Sequence, residues 1–264
     1  MSGGADSLAM LALAVDALVE VTAVHVDHGL RPGSADEADV VRDVAAGLGV
    51  RFRAERVDVA AGPNLEARAR AARRAVLGPD AMTGHTADDQ AETVLLNLVR
   101  GAGLDGLGAM RAGPTKPILG LRRAETRELC AARGFVPVQD PSNEDPAFRR
   151  NRVRHEVLPL LDAVAERDVA ALLARAASLL ADDAELLDSL AAALDPTDAR
   201  ALAGAPVALA RRAVRRWLTL DGYPPDLATV DRVLAVARGE ARATEVEGGR
   251  RVRRTAQRLV LCGP

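Results

Sequence analysis

Residues 2–7 read SGGADS and run straight into LAMLALAVDALVE (8–20), a serine- and glycine-rich loop feeding an apolar helix. Gly3 and Gly4 let the backbone approach a phosphate, Ser2 and Ser7 donate hydrogen bonds to it, and the dipole of the following helix favours the anion. The loop lacks a GKS or GKT end, so it is not a Walker loop. A bare carboxylate at Asp6 would repel a triphosphate, so Asp6 reads as the residue that carries Mg2+. The plainer alternative is a Ser/Asp helix cap with flexible glycines. A phosphate loop ordinarily hangs from a buried strand, and no residues stand before Met1 to form one.

Outward from the loop, strand-like and helix-like segments alternate. VTAVHV (21–26), VRFRAERVDV (50–59), DAMTGH (80–85) and FVPVQD (135–140) read as strands. SADEADVVRDVAAGLG (34–49), LEARARAARRAVL (65–77), TADDQAETVLLNLVRG (86–101) and RRAETRELCAARG (122–134) read as helices. This alternation predicts an α/β fold with a doubly wound parallel sheet. GAGLDG (101–106) fits the dinucleotide template, but it follows a helix and leads into a loop, so it predicts no dinucleotide site. Beyond about residue 157 the pattern turns helical, with segments at 171–194, near 207–220 and at 226–238. EVEGGRRVRRTAQRLVL (245–261) reads as a terminal hairpin around Gly-Gly. The expected division is a catalytic, ATP-binding domain over 1–160 and a smaller, mostly helical domain over 161–264.

The bulk numbers are those of a globular chain: 264 residues, 48% hydrophobic, mean hydropathy +0.01. There is no 18-residue uncharged apolar run to span a membrane, and the first twenty residues hold acids but no Lys or Arg, unlike a signal peptide. Cytoplasmic residence is the expectation. Cys130 and Cys262 form no CxxC pair, so cysteine encodes neither a zinc nor an iron–sulfur site. Net charge is −2, yet of 35 basic residues only Lys116 is lysine, and the arginines cluster. Genome composition accounts for arginine over lysine but not for the clustering.

Two further strand ends carry chemistry. HVDHGLR (25–31) sits at the C-terminal end of the strand-like segment 21–26, where ligands bind in open parallel sheets. His25 and His28 are poorly spaced for a metal, and a satisfied imidazole or contacts to a nucleobase fit better. In GHTADDQAET (84–93), Asp89 and Glu92 share one helical face in the first turn. They read either as acids favoured at a helix start or as a metal or general-base pair facing the crevice of Asp6. RRNRVR (149–154) packs four arginines into six positions, a solvated face or a phosphate grip.

SGGADS, HVDHGLR, NLEARARAARR, GHTADDQAETVLLNLVRGAGL and DPSNEDPAFRRNRVRHEVLPLL occur in that order over residues 2–161. Together they resemble the tRNA(Ile)-lysidine synthetase family of the PP-loop ATP pyrophosphatases. The resemblance implies a PP-loop catalytic domain and a tRNA-binding second domain. It implies that ATP adenylates carbon 2 of the wobble cytidine in a CAU-anticodon isoleucine tRNA. The ε-amine of free L-lysine then displaces AMP, giving lysidine and moving decoding from AUG to AUA. By motif position, Ser2, Gly3, Gly4, Ala5, Asp6, Ser7 and His25 would hold the nucleotide, with Asp6 on Mg2+. Asp89 and Glu92 match the acidic pair near the lysine amine and the cytidine, and Arg70 matches an arginine beside the reacting groups. A nearby carboxylate is sensible because the amine must lose a proton before it attacks. Arg149, Arg150, Arg152 and Arg154 would contact tRNA phosphates, and the arginine patches at 211–216 and 250–258 are weaker candidates. Trp217 reads as core.

Two departures stand out. The chain resembles the short form, without the extra C-terminal domain of the longest members. In the family an apolar strand ending in valine or a similar residue precedes SGG. Because GTG encodes valine and also serves as a start codon, the expectation is that the natural chain begins upstream of Met1. Three rivals stay open: a tRNA thiolase of the same superfamily, an inactive tRNA-binding module, and a pyrophosphatase acting on a small metabolite. The missing CxxC argues against the first and RRNRVR against the last. No membrane partner is expected, and a homodimer is left open.

Overall fold

A computed structural model describes residues 1–27, 34–57, 65–220 and 223–263, with the backbone alone at 34–36, 65–67, 69 and 70. The described chain divides into two units, Met1–Leu180 and Ala181–Pro264.

In the first unit α1 (Ala5–Asp16) leaves the SGGADS loop, and β1 (Thr22–Asp27) follows. Then come α2 (Ser34–Gly47), β2 (Arg51–Arg56) and α3 (Leu65–Leu77). β1 and β2 pair in parallel, Thr22 opposite Arg51 through Asp27 opposite Arg56, with α2 as the crossover. α4 (Ala87–Val99), the single turn α5 (Leu104–Leu107) and α6 (Arg123–Ala132) come next. A 3-10 turn (Pro141–Asn143), α7 (Arg149–Arg152), a π-helical turn (Val153–Val157) and α8 (Leu158–Ala165) lead into α9 (Val169–Ala192). GAGLDG follows α4, as expected, but its last three residues, Leu104, Asp105 and Gly106, belong to α5, so it leads into a helical turn rather than a loop.

The apolar periodicity explains the packing. Leu8 and Ala9 of α1 are fully buried against Cys130 of α6, and Leu11 joins Ala23, Val41 and Ala45 beneath the parallel pair. Ala91 and Leu95 of α4 pack with Val153, Leu158 and Ala170, tying the arginine-rich segment to α4. Burial of a side chain such as Leu8 stabilises by about 1.5–3 kcal/mol.

Two expected strands are not strands. At 80–85 and 135–140 the backbone forms no ladder among the described residues. A strand needs a neighbour to satisfy its amides and carbonyls. Here those groups go to loops: the amide of Thr83 donates to the Thr115 carbonyl (2.9 Å) and that of Val138 to the Gly3 carbonyl (3.0 Å).

The second unit holds α10 (Ala199–Gly204), α11 (Val207–Leu218), α12 (Leu227–Arg238) and an antiparallel sheet of β3 (Ala243–Val246), β4 (Arg250–Thr255) and β5 (Arg258–Cys262). The expected Gly-Gly hairpin is its first half, with Gly248 and Gly249 both at positive φ. The third strand returns through Ala256 and Gln257, also at positive φ, so no Gly or Asn announced that turn. Ala210, Ala213, Val214 and Leu218, spaced i, i+3, i+4, meet Val230, Val233, Leu234 and Ala237 over Val252 and Leu259. Trp217 packs against this core, as expected.

Candidate active site

No side chain caps the N-terminus of α1, where Gly4 is the cap residue. Ser7 Oγ donates to the Gly4 carbonyl (2.9 Å), and the Gly4 amide donates to Ser2 Oγ (3.4 Å), so both hydroxyls fold in on the loop. An uncapped helix start with hydroxyls beside it suits an anion. Gly3 sits at φ +70°, and a Cβ there would lie 2.7 Å from Val138 Cγ2. Gly84, at the head of GHTADD, lets that segment touch the loop: a Cβ would lie 2.9 Å from both C and O of Asp6.

Asp6 faces α6. Thr126 Oγ1 donates to its Oδ1 (2.5 Å), and Arg123 Nε lies 3.7 Å from its Oδ2. Burial lifts the Asp6 carboxyl above the usual carboxylate range, while Thr126 and Arg123 pull the other way. A cation would reverse that lift. Mg2+ is commonly held by one or two carboxylates plus substrate phosphates, so the Asp6 carboxylate beside a phosphate-type loop fits such an ion.

Thr86 and Asp89 form a capping box at the start of α4. The Thr86 amide (2.8 Å) and hydroxyl (3.0 Å) both donate to Asp89 Oδ2. Asp89 Oδ1 accepts from Arg123 Nη2 (2.9 Å) and Arg150 Nη2 (3.2 Å). Burial alone would raise the Asp89 carboxyl; Arg123, the Thr86 amide and Arg150 outweigh it and hold it below the usual range. Glu92, one turn on, is 0% exposed. Its oxygens accept from Arg123 Nη1 (3.2 Å), Arg150 Nε (2.6 Å) and Arg154 Nε (2.7 Å). Asp88 points the other way, accepting from the Arg122 guanidinium (2.9 and 3.1 Å) and the Arg123 amide (2.7 Å), which seats α6 on α4.

The structure therefore brings Ser2, Gly4, Ala5, Asp6, Ser7, His25 and Asp89 to one cleft of about 1180 Å³, whose wall also holds His85, Arg123, Arg127, Arg154 and His155. Gly3 is buried beneath the loop. His25 is 2% exposed, its Nδ1 3.0 Å from the Met1 carbonyl. Glu92 sits behind the wall. Of the four arginines of RRNRVR, Arg150 and Arg154 turn inward to the acidic pair. Arg149 and Arg152 are exposed, the latter paired with Glu156 at 2.9 Å. Arg70 lies on α3 with its side chain outside the described residues, as does His28 entirely. Among the described residues no group of three or more His, Cys, Asp or Glu is placed to hold a metal.

Arg123, Thr126 and His85 were not singled out by the sequence. Arg123 and Thr126 are three apart at the start of α6, on one face, but their partners lie on α1 and α4. His85 stood inside a quoted motif without a signal of its own. In the second unit, Arg211 pairs with Asp231 (2.7 Å), Arg212 with Asp188 (2.5 Å) and Arg258 with Asp195 (2.7 Å). Arg254 Nη1 donates to the Ala237 carbonyl (2.8 Å). Arg251 and Arg253 are exposed on β4.

Residues 1–161 match the family model of the PP-loop domain, and 198–260 match that of the TilS substrate binding domain. A tRNA(Ile)-lysidine synthase of Nocardia farcinica is 46% identical over 94% of this chain and 84% of its own length. The chain belongs to the tRNA(Ile)-lysidine synthase family. A family member from Thermobifida fusca is 40% identical over 98% of this chain and 89% of its own. The fold extends further than the family. The U34-tRNA thiolase NcsA from Methanococcus maripaludis, solved with its 4Fe-4S cluster, superposes with a TM-score of 0.55 at 20% identity, covering 69% of this chain and 70% of that one. Within the lysidine synthase family, the loop, the capping box and the arginine segment all fall in the part matched by the PP-loop model.

Proposed function

We propose that this chain is an ATP-dependent carbon–nitrogen ligase that forms lysidine on tRNA(Ile). The observation that carries the reading is the meeting of the SGGADS loop, Asp89 and the cleft-lining arginines around one cavity, in a chain of the lysidine synthase family. Ser2, Gly3, Gly4, Ala5 and Ser7 bind the ATP phosphates at the start of α1, and Asp6 would hold Mg2+, which when bound would neutralise phosphate charge. ATP adenylates the oxygen on carbon 2 of the wobble cytidine, releasing pyrophosphate, and free lysine displaces AMP from that carbon. His25 supports the nucleotide end of the cleft, and Arg70 belongs with the reacting groups.

Asp89 and Glu92 act through the guanidiniums they hold. Their carboxylates fix Arg123 and Arg154 in the wall, where positive charge meets the phosphates. Arg149 and Arg152 face the tRNA backbone, and Arg150 and Arg154 reach it only by giving up their carboxylates. The 198–260 region matched by the TilS substrate binding model takes the rest of the tRNA. Such chemistry belongs in the cytoplasm, where tRNA, ATP and lysine meet. Among the described residues no helix is long and apolar enough to cross a membrane.

Labelled lysine is mixed with the protein, Mg·ATP and CAU-anticodon isoleucine tRNA. The reading expects tRNA-bound label and pyrophosphate released in step, both abolished by omitting ATP. Pyrophosphate release without lysine retention would overturn it.

A further inference from the structure

Resting on the lysidine-forming reading, the second half-reaction needs a base. The ε-ammonium of free lysine, with a pKa of about 10.4, is protonated at neutral pH and cannot attack until it loses a proton. The acidic pair that the family resemblance sets near the lysine amine is already engaged. Glu92 is fully buried, its oxygens accepting from three arginines. Asp89 spends Oδ2 in the capping box and Oδ1 on Arg123 and Arg150.

His85 is differently placed. Thr83 Oγ1 donates its single proton to the Thr115 carbonyl (3.1 Å), and the Thr83 amide donates to that same carbonyl (2.9 Å). His85 Nδ1 lies 2.9 Å from that Oγ1. With the hydroxyl proton committed, Oγ1 can only accept, so Nδ1 carries the ring proton and Nε2 keeps its lone pair. A third group thus orients the imidazole, the arrangement found where a base serves a reaction. His85 also lines the cleft. The groups around it are Asp89 on α4, Arg150 on α7, Lys116 in the turn after Thr115, and Arg73 on α3. Burial lowers its pKa, the three cations add to that, and Asp89 opposes them, so the ring is neutral at pH 7.

We infer that His85 is the general base of lysine transfer, and that Thr83 and Thr115 are positioning residues that fix its tautomer. One proton of the lysine ammonium passes to His85 Nε2. The freed amine forms the C2–N bond, the C2–O2 bond breaks with its electron pair leaving on AMP, and the bonded nitrogen sheds its second proton to solvent. The imidazolium then returns its proton to solvent.

The test uses tRNA adenylated beforehand and single-turnover mixing with lysine. In His85→Gln, transfer is expected to fall by roughly 10²-fold or more, while adenylation falls far less. In the unaltered protein, transfer should rise with pH through the depressed histidine pKa and then level off. In His85→Gln it should keep climbing toward about 10.4, because only free amine then reacts. Thr83→Val, which lets the ring choose the other tautomer, should slow transfer by about tenfold without shifting adenylation. His155→Gln, on the same cleft wall, should leave the levelling-off in place. Imidazole added to His85→Ala should restore part of the transfer rate, and it guards against a folding defect. Equal losses in both half-reactions, or a profile that still levels off in His85→Gln, would overturn the assignment. If the unaltered protein transfers no lysine, the functional reading itself fails instead.

Discussion

Gly84 and Gly47 show how differently one residue type behaves at two positions. At Gly84 an added Cβ would sit 2.9 Å from the Asp6 backbone, with nothing flexible to yield. Gly84→Ala must push the loop away from the segment that carries His85 and Thr86. Displacements near an ångström at a reacting centre cost about 10²-fold, so pyrophosphate release should drop by that order, with a smaller change in melting temperature. Gly47 closes α2 at ordinary φ with nothing within 4 Å of its added Cβ. Gly47→Ala should therefore stabilise the protein by about 0.4–1 kcal/mol, read by denaturant unfolding, and leave turnover untouched.

At the scale of elements, α4 is organised by its acids. Thr86→Ala removes the cap and should cost about 1 kcal/mol. Glu92→Gln should cost about 3 kcal/mol, the low end for a broken buried pair because its arginines keep some water. Asp88 and Asp89 titrate below their unfolded range through Arg122, Arg123 and Arg150. Depressed carboxyls stabilise above the unfolded pKa, and the benefit is lost as pH falls through the folded value. Melting temperature should thus fall as pH drops below about 4, and less so in Asp88→Asn. This scale also shows what the sequence could disclose. The SGGADS loop and the capping box are local, and their residues are legible as written. The arginines of Glu92 lie 31, 58 and 62 positions away, beyond any periodicity. FVPVQD (135–140) is as apolar as β1 and DAMTGH (80–85) less so, but strand formation depends also on neighbours that a segment does not encode.

Across the whole molecule, several of the clustered arginines are spent internally. Arg211, Arg212 and Arg258 are tied to aspartates, whereas Arg253 is exposed on β4. Arg253→Ala should lower the slope of log tRNA affinity against log salt by about 1, while Arg211→Ala should act chiefly on stability. The sequence changes rhythm from alternating to helical segments near residue 160, twenty positions before the division at 180/181. The division falls within α9, which carries one continuous pattern through that point. The same accounting leaves a single lysine side chain, Lys116, half-buried in the turn that follows Thr115. Protein grown on lysine enriched with nitrogen-15 at its side chain would carry one such nucleus, beside the threonine that steadies His85. Its resonance would report occupancy of the cavity as one line, unobscured by any other side-chain amine of the chain.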